Sequence, residues 1–544
     1  MTAITTTSLG SRLDTALGRL TMYRLVLWVL AALAAYSLLL NVLGWLTFGL
    51  PEMIAHLVLC LGLTYGSNRA IAALFHVRPH LESSLITGLL LYFLFWPSQL
   101  TQGIQVAELA GVALACVLAS ASKYALAWRG RHIFNPAAAG AFLAGLTGLN
   151  IATWWAATPA MLLLVLPGAL LVLYRVRKLT MAAVFTVVAV SVVTADLLQS
   201  GMALPEALWQ PLAQRPVLFF VGFMLTEPLT LPPRRWQQLA EAAVVGVLFA
   251  VPYDLGFVFS SPELALLVGN VLAFAAGQRG AVRLRFVGRR PLTPTTTEFS
   301  FRPERPVRFT AGQYLELHLP PDQAGDRQAG GRQAGKGDGK GIRRVFSLTS
   351  APGAPLLTIG VGTAEPVSSA KRSLLGLVPG DRLSATTVGG DFVLPRNPST
   401  PVLLIAAGIG ITPYLAHLAD ATAAASGAGR AGASAAGQGG PAGNRDVVLL
   451  YLAKNAAELA YAEELQRSGA RILARLGDGS APPPAFMQDA GAERIDAAAL
   501  KKLVPDVAGR EIYISGSPAS VRSLGTAARR AGARRVHEDS FTGY

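Results

Sequence analysis

The sequence predicts three architectures in series: a polytopic α-helical membrane domain, an antiparallel β-barrel and a parallel α/β domain. Three observations predict them. Apolar runs follow one another almost without pause as far as residue 278. From Arg283, apolar and polar residues alternate between Pro and Gly turns, which is the two-residue period of half-buried strands. From Pro401, short and wholly apolar runs alternate with helical segments, the pattern of a parallel sheet. A chain of 544 residues also exceeds one ordinary core.

Composition sharpens this division and removes some functions. Hydrophobic residues make up 52% of the chain and charged residues 15%. Residues 1–278 hold 14 of the 47 Lys and Arg and 10 of the 32 Asp and Glu, which leaves residues 279–544 at net +11. No basic stripe is interleaved with aromatic residues, so nucleic acid is not an expected partner. The positive charge suits an anionic membrane leaflet or an anionic dinucleotide. Cys60 and Cys116, the two cysteines, both sit in apolar runs. They exclude a disulfide framework and an iron–sulfur cluster held by four thiolates, and no metal site is expected. Haem held between two helices needs paired histidines; His56 lies in a span, while His76, His80 and His132 sit at ends or in loops.

Residues 1–22 read as a polar cytoplasmic tail and not as a cleavable signal peptide, since the first apolar run already has full membrane length. The membrane domain is expected over 23–278. Ten helices are read, at 24–48, 53–75, 83–97, 104–127, 134–150, 158–174, 179–199, 215–230, 236–256 and 262–278. Their lengths approach what a bilayer requires. Basic residues fall in alternate loops: Arg69 and Arg78, then Lys123, Arg129 and Arg131, then Arg175, Arg177 and Lys178, then Arg234 and Arg235. The intervening loops carry Glu52, Glu108, Glu206, Asp254 and Glu263. By the positive-inside rule both termini are cytoplasmic, as in a bacterial inner-membrane protein.

Two stretches are polar where lipid favours apolar residues. Residues 131–140 read RHIFNPAAAG and residues 223–230 read FMLTEPLT. Asn135-Pro136 and Glu227-Pro228 break helices, and irregular backbone at membrane depth persists where protein or a cavity surrounds it. Broken helices in corresponding halves mark binding sites, so His132, Asn135, Thr226 and Glu227 are candidates for an acceptor or second-cofactor site. Helix capping alone is the competing explanation for each. The phrases HIFNPAA and FMLTEPLT resemble those in the flavin-carrying membrane proteins of the Rnf electron-transport complex and of sodium-translocating NADH:quinone reductase. That family usually has Thr-Asp-Pro in the second phrase, where Glu227 stands here. The resemblance implies a flavin in the membrane domain. The family's Ser-Gly-Ala-Thr attachment sequence does not occur, so a second flavin would be noncovalent.

The barrel is expected over 279–398. Leu284 and Phe286, then Phe299 and Phe301, then Leu315, Leu317 and Leu319 mark its strands. A near-repeated Gly-rich insertion at 321–341 reads as a flexible loop, and so does the Ala-, Gly- and Ser-rich segment 421–445. The α/β domain is expected over 399–544, with strands at Val402–Ala407, Val447–Leu452, Arg471–Leu476 and Glu511–Ile514, and helices from Tyr414 and over Ala457–Gln466. The first strand runs into Gly408-Ile409-Gly410-Ile411-Thr412-Pro413. Glycines there let backbone approach a pyrophosphate, and the following helix N-terminus favours its charge. Gly408, Gly410, Thr412 and Pro413 are therefore candidates for a dinucleotide; a tight strand–helix turn is the plainer alternative.

Further motifs carry a second resemblance. Arg344-Val345-Phe346-Ser347 resembles the Arg-x-Tyr-Ser signature of the ferredoxin-reductase flavoprotein family. Phe309-Thr310-Ala311-Gly312-Gln313-Tyr314 is similar to its Phe-x-Pro-Gly-Gln-Tyr. Ser515-Gly516-Ser517-Pro518 stands where the family has Cys-Gly-Pro or Ser-Gly-Pro. The resemblance covers about 283–544 and implies a flavin barrel followed by a Rossmann-like nicotinamide domain. It implies that Arg344 pairs with the FAD pyrophosphate, that Phe346 stacks on the isoalloxazine, and that Ser347 reaches its N5 edge. Tyr314 belongs to the same pocket, Ser368 and Ser369 to a second flavin-phosphate segment, and Gly390-Asp391-Phe392 to the closing turn. Ser515 and Gly516 would lie beside the nicotinamide, and Phe541 would cover the flavin.

The expected function is a membrane-bound NAD(P)H-dependent flavin oxidoreductase. NADH or NADPH reduces FAD, and electrons pass on to a membrane flavin, a quinone or a partner protein. The cofactor carries the chemistry, so no general acid or base is assigned. Lys454 and Arg471 could reach a 2′-phosphate, with surface charge the favoured reading of both, which leaves NADH against NADPH open. The alternative from another class is an ion or solute transporter with a regulatory flavin domain. Acceptor reduction without transmembrane flux separates the two.

Overall fold

The computed structural model describes residues 22–75, 79, 81–99, 106–128, 131–256, 258–278, 282–319, 342–365, 367–425, 445–477 and 482–541. The N-terminal tail, the 321–341 insertion, most of 421–445, His76 and His80 lie outside the described residues. Two compact units form, one built on Ala16–Arg279 and the other on Gly280–Gly337 with Gly341–Tyr544.

The first unit is helical. It comprises α1 (Met22–Val42), α2 (Leu50–Leu74), α3 (Leu81–Leu94), α4 (Val106–Ala125), a hairpin of β1 (Ala127–Trp128) and β2 (Arg131–His132), and α5 (Pro136–Gly145). There follow α6 (Pro159–Val176), α7 (Leu179–Gln199), α8 (Leu204–Ala213), α9 (Val217–Phe220), α10 (Arg235–Ala250) and α11 (Pro262–Ala273). Helices α9 and α11 each continue into a π-helical turn, Val221–Leu225 and Phe274–Gln278. Proline opens α2, α5, α6, α8 and α11, at positions where its missing N–H costs no helical bond.

Among the described residues, five helices are long and apolar enough to cross a membrane: α1, α2, α4, α6 and α7. The ten predicted segments all contain helix, but the others are shorter. The helix expected at 134–150 is cut to 10 residues. Asn135-Pro136 sets its start, and its helical hydrogen bonding ends in the turn after Gly145. The one at 215–230 ends in a π turn before Thr226-Glu227-Pro228. Apolar periodicity marks where helices lie but not where polar breaks shorten them. The unit packs Leu30, Leu33, Tyr92, Phe93, Phe219, Phe220 and Met224 in its core. Large apolar residues also face outward, Trp28 at 66% exposure and Leu163 at 68%.

The second unit begins with an antiparallel sheet of β3 (Val282–Thr293), β4 (Thr296–Pro303), β5 (Tyr314–Leu319), β6 (Ile342–Ser347), β7 (Leu357–Gly362) and β8 (Arg382–Gly389), with α12 (Ser369–Leu375) before β8. The strand order is β6-β5-β8-β3-β4-β7. A bridge between Leu348 and Ile359 joins the two ends of this order, so the sheet closes on itself and removes its free edges. Leu284, Phe286, Phe299, Phe301, Leu315 and Leu317 fill the interior.

A parallel sheet follows: β9 (Val402–Ala407), β10 (Val447–Ala453), β11 (Arg471–Leu476), β12 (Gln488–Asp489), β13 (Glu511–Gly516) and β14 (Val536–Ser540). Its helices are α13 (Thr412–Ala425), α14 (Ala462–Arg467), α15 (Ala497–Leu503) and α16 (Pro518–Arg530). The order is β12-β11-β10-β9-β13-β14, and all neighbouring pairs are parallel. Val402, Leu404 and Ala406 enter one core, while Leu403 and Ile405 enter another. Both faces of β9 are covered, which is why it reads as an unbroken apolar run.

Candidate functional site

In the parallel sheet the chain turns from β9 toward β10 on one side and returns to place β13 on the other. This reversal leaves a crevice at the carboxyl ends of β9 and β13, the position where open α/β sheets bind ligands. The predicted nucleotide residues gather there. Gly408 has φ +57, and no atom lies within 4 Å of where its Cβ would stand, so backbone at that turn is open to a ligand. Gly410 serves a different need: a Cβ there would overlap the Ser515 carbonyl at the end of β13. Thr412 is buried and its hydroxyl donates to the Ile409 carbonyl at 3.1 Å. Pro413 lies in the first turn of α13.

Ser515 is fully buried and its hydroxyl has no hydrogen-bond partner. A buried hydroxyl left unpaired is costly, and this one lies at the carboxyl end of β13. Ser517, which lengthens the motif relative to the family's, caps α16 by accepting from the Ser520 N–H at 3.2 Å. The Phe541 N–H donates to the Gly516 carbonyl at 3.0 Å, which brings the C-terminal aromatic to the same strand end.

The barrel motifs meet on the paired strands β5 and β6. Register places Tyr314 opposite Ser347, Leu315 opposite Phe346 and Leu317 opposite Arg344. Arg344 is partly buried, and burial pulls its guanidinium below the ordinary arginine value. A partly desolvated cation of this kind suits an anionic phosphate. Phe346 packs against the barrel core. Helix α12 packs on β5 and β6, and Ser368 begins it by accepting from the Lys371 N–H. Ser369 opens that helix, and its side chain lies outside the described residues.

Three residues that were not among the candidate site residues tie these segments together. Gln313 accepts from the Thr310 N–H at 2.8 Å and donates to the Gly390 carbonyl at 3.2 Å. Gly312 has φ +86, and a Cβ there would overlap both the Phe392 carbonyl and the His417 imidazole. His417 sits on α13, fully enclosed; burial lowers its pKa to about 4, against the effect of its hydrogen bond to the Phe392 backbone. A lone polar residue on the apolar face of α13 was its only signal. The two sheets are joined further by Arg290, which donates to Glu464 at 2.6 Å and Glu298 at 3.1 Å.

For Arg471 the placement agrees with surface charge and not with a phosphate contact. The residue begins β11 and donates to Gln488 and the Leu503 carbonyl, at the amino end of the sheet, away from the crevice. Its position in β11, not its charge, decides this. Lys454 directly follows β10 and lies at the carboxyl end.

In the helical unit the two polar breaks meet. Glu227 Oε1 lies 3.0 Å from His132 Nε2, and Oε2 accepts from the Asn135 side-chain amide at 3.0 Å. Asn135 also caps α5 by accepting from the Ala138 N–H, and its own N–H donates to Asn270 Oδ1 at 2.8 Å. The Thr226 hydroxyl donates to the Val221 carbonyl, closing the π turn. Asn135, Thr226 and Glu227 line a small pocket of about 50 Å³ whose other walls include Val26, Leu90 and Phe223. Among the described residues, no cluster of His, Cys, Asp and Glu fits a metal ion.

No family model matches the chain. It is 29% identical over 257 residues to an aromatic O-demethylase reductase subunit of an Amycolatopsis species, a match covering 44% of this chain and 62% of that protein. It is 26% identical over 266 residues to the stachydrine N-demethylase reductase subunit of Rhizobium meliloti, covering 48% of this chain and 66% of that one. The chain thus spans less than two thirds of either relative. A crystal structure of an Amycolatopsis cytochrome P450 reductase aligns at 25% identity over 48% of this chain and 70% of its own, with a TM-score of 0.35.

Proposed function

We propose that this chain is a membrane-bound NAD(P)H-dependent flavin oxidoreductase that delivers electrons to an acceptor at its helical unit. The carrying observation is the convergence of Gly408, Gly410, Ser515 and Phe541 at the switch point of the parallel sheet. The likeness to two reductase subunits supports it. FAD, when bound, accepts a hydride from the nicotinamide and hands electrons on one at a time.

The chain's own residues do the holding and aiming. Arg344 and the Ser368 segment bind the flavin phosphates. Gly408 admits the dinucleotide pyrophosphate at the start of α13. Ser515 donates its unpaired hydroxyl to the nicotinamide side of the crevice. Gln313 and His417 hold the loops that shape both pockets. In the helical unit, outward apolar residues meet lipid, and both ends of the chain face the cytoplasm. The pocket beside His132, Asn135, Thr226 and Glu227 receives the acceptor: a quinone, a noncovalent flavin or the cofactor of a partner protein.

The test is flavin content. The full chain, purified in detergent, should show a flavin spectrum and release about one FAD per chain on acid extraction. A folded protein with no extractable flavin contradicts the reading.

A further inference from the structure

Helix α10 carries a carboxylate into the interior of the helical unit. Glu241 is 4% exposed, and neither of its oxygens has a hydrogen-bond partner. It lies six residues after Arg235, roughly 9 Å along the helix from its start. It faces α11, where Gly269 makes room for it. A Cβ at Gly269 would stand 3.3 Å from Glu241 Oε1 and 3.6 Å from its Cγ. Val245, one turn on along α10, lies against the same glycine.

The surrounding charges are already engaged. Helix α10 packs on α7 and α11. At the start of α7, Lys178 donates to Gln238 Oε1 at 2.6 Å, one turn before Glu241. Arg235 donates to Thr180. On α11, the Glu263 carboxylate accepts from Trp154 Nε1 at 2.6 Å. The Asn270 side-chain N–H groups, next to Gly269, have no partner, and its oxygen is taken by the Asn135 N–H.

An ionised carboxylate in this position would be buried with no hydrogen-bond donor, and the cation that acts on it, Lys178, gives a hydrogen bond to Gln238; keeping that charge costs several kcal/mol. Retaining a proton removes that charge, and intramembrane carboxyls of this kind mark proton paths. We propose that Glu241 is a proton-binding site of the helical unit, holding its proton at neutral pH and exchanging it with water through the Gln238–Lys178 end of the α7–α10 interface. The ligand is the proton itself, so no open cavity is needed. Gln238 shares the helix face of Glu241 three residues away, and Lys178 connects that face to the end of the span.

Infrared difference spectroscopy on the full chain in lipid nanodiscs tests this. The wild type minus Glu241→Gln at neutral pH should show one protonated-carboxyl C=O band. That band should shift in D2O and give way to carboxylate bands at alkaline pH. The amide of Gln mimics the neutral acid, so the variant should fold. Glu241→Asp, which moves the carboxyl by one methylene, should keep the band at a shifted frequency and supplies the comparison if the Gln variant misfolds. Carboxylate bands at neutral pH overturn the proposal. So does a protonated band that never exchanges in D2O, because the group is then a sealed structural acid. Neither result depends on flavin or nucleotide binding.

Discussion

Asn135 donates its side-chain amide to the Glu227 carboxylate at 3.0 Å, across 92 positions of sequence. The contact joins the N-cap of one shortened helix to the residue that follows a π turn in another. His132 holds the second oxygen of the same carboxylate. Two breaks that each look like simple capping in isolation become one polar site with an adjoining pocket.

Replacing both partners tests that site. A Glu227→Gln, Asn135→Ala double variant should keep NAD(P)H oxidation with a soluble dye at the parent rate. Transfer to a membrane acceptor should fall about tenfold or more, as expected for loss of a hydrogen bond to a charged group. Parallel assays with a dye and a lipid-soluble quinone measure the split. Unchanged quinone reduction in a correctly inserted variant would make these residues structural.

The two glycines of the nucleotide turn should behave differently. Gly408→Ala meets no atom but must hold φ +57, a strain of about 1 kcal/mol. It should keep FAD and raise the KM for the nucleotide. Gly410→Ala must displace the Ser515 carbonyl, so it should lower the thermal stability of the second unit as well. Melting curves beside steady-state kinetics separate the effects. Equal behaviour of the two variants would contradict the assignment.

Arg344→Ala should weaken FAD retention by about tenfold to a hundredfold, the value of one charge-assisted contact. Flavin fluorescence on dilution measures it. The residual enzyme, given excess FAD, should recover its nucleotide KM, because Gly408 and Ser515 are untouched.

His417 makes the stability of the second unit depend on pH. Its folded value is lowered to about 4 from an ordinary 6.5, chiefly by burial. The unfolded chain therefore takes the proton first. Stability is full above about 6.5 and falls as pH drops toward about 4, by on the order of 3 kcal/mol at the limit. His417→Gln should flatten that slope. Denaturant curves followed by flavin release at neutral and mildly acidic pH check it, and an unchanged slope in the variant would assign the loss elsewhere.

Much of the second unit was legible because its elements announce themselves locally. Val402–Ala407 is apolar throughout since both faces are covered, and the turn that follows has glycines that the structure explains one by one. Strand β14, Val-His-Glu-Asp-Ser, was not legible: it lies at the edge of the sheet and none of its residues is buried. Tyr461, a non-glycine at φ +63 packed against Gly360, left no local sign either. In the helical unit the polar breaks were legible as breaks. Their meeting at Glu227 depends on long-range packing that no local pattern encodes, and the π turns that follow α9 and α11 have no periodic signature.

The most direct measurement is anaerobic stopped-flow on the full chain in lipid nanodiscs. NADH or NADPH should bleach the flavin absorbance, and a lipid-soluble quinone mixed in afterwards should restore it while a quinone-free nanodisc stays bleached. Flavin that remains oxidised with both nucleotides would contradict the account at its root.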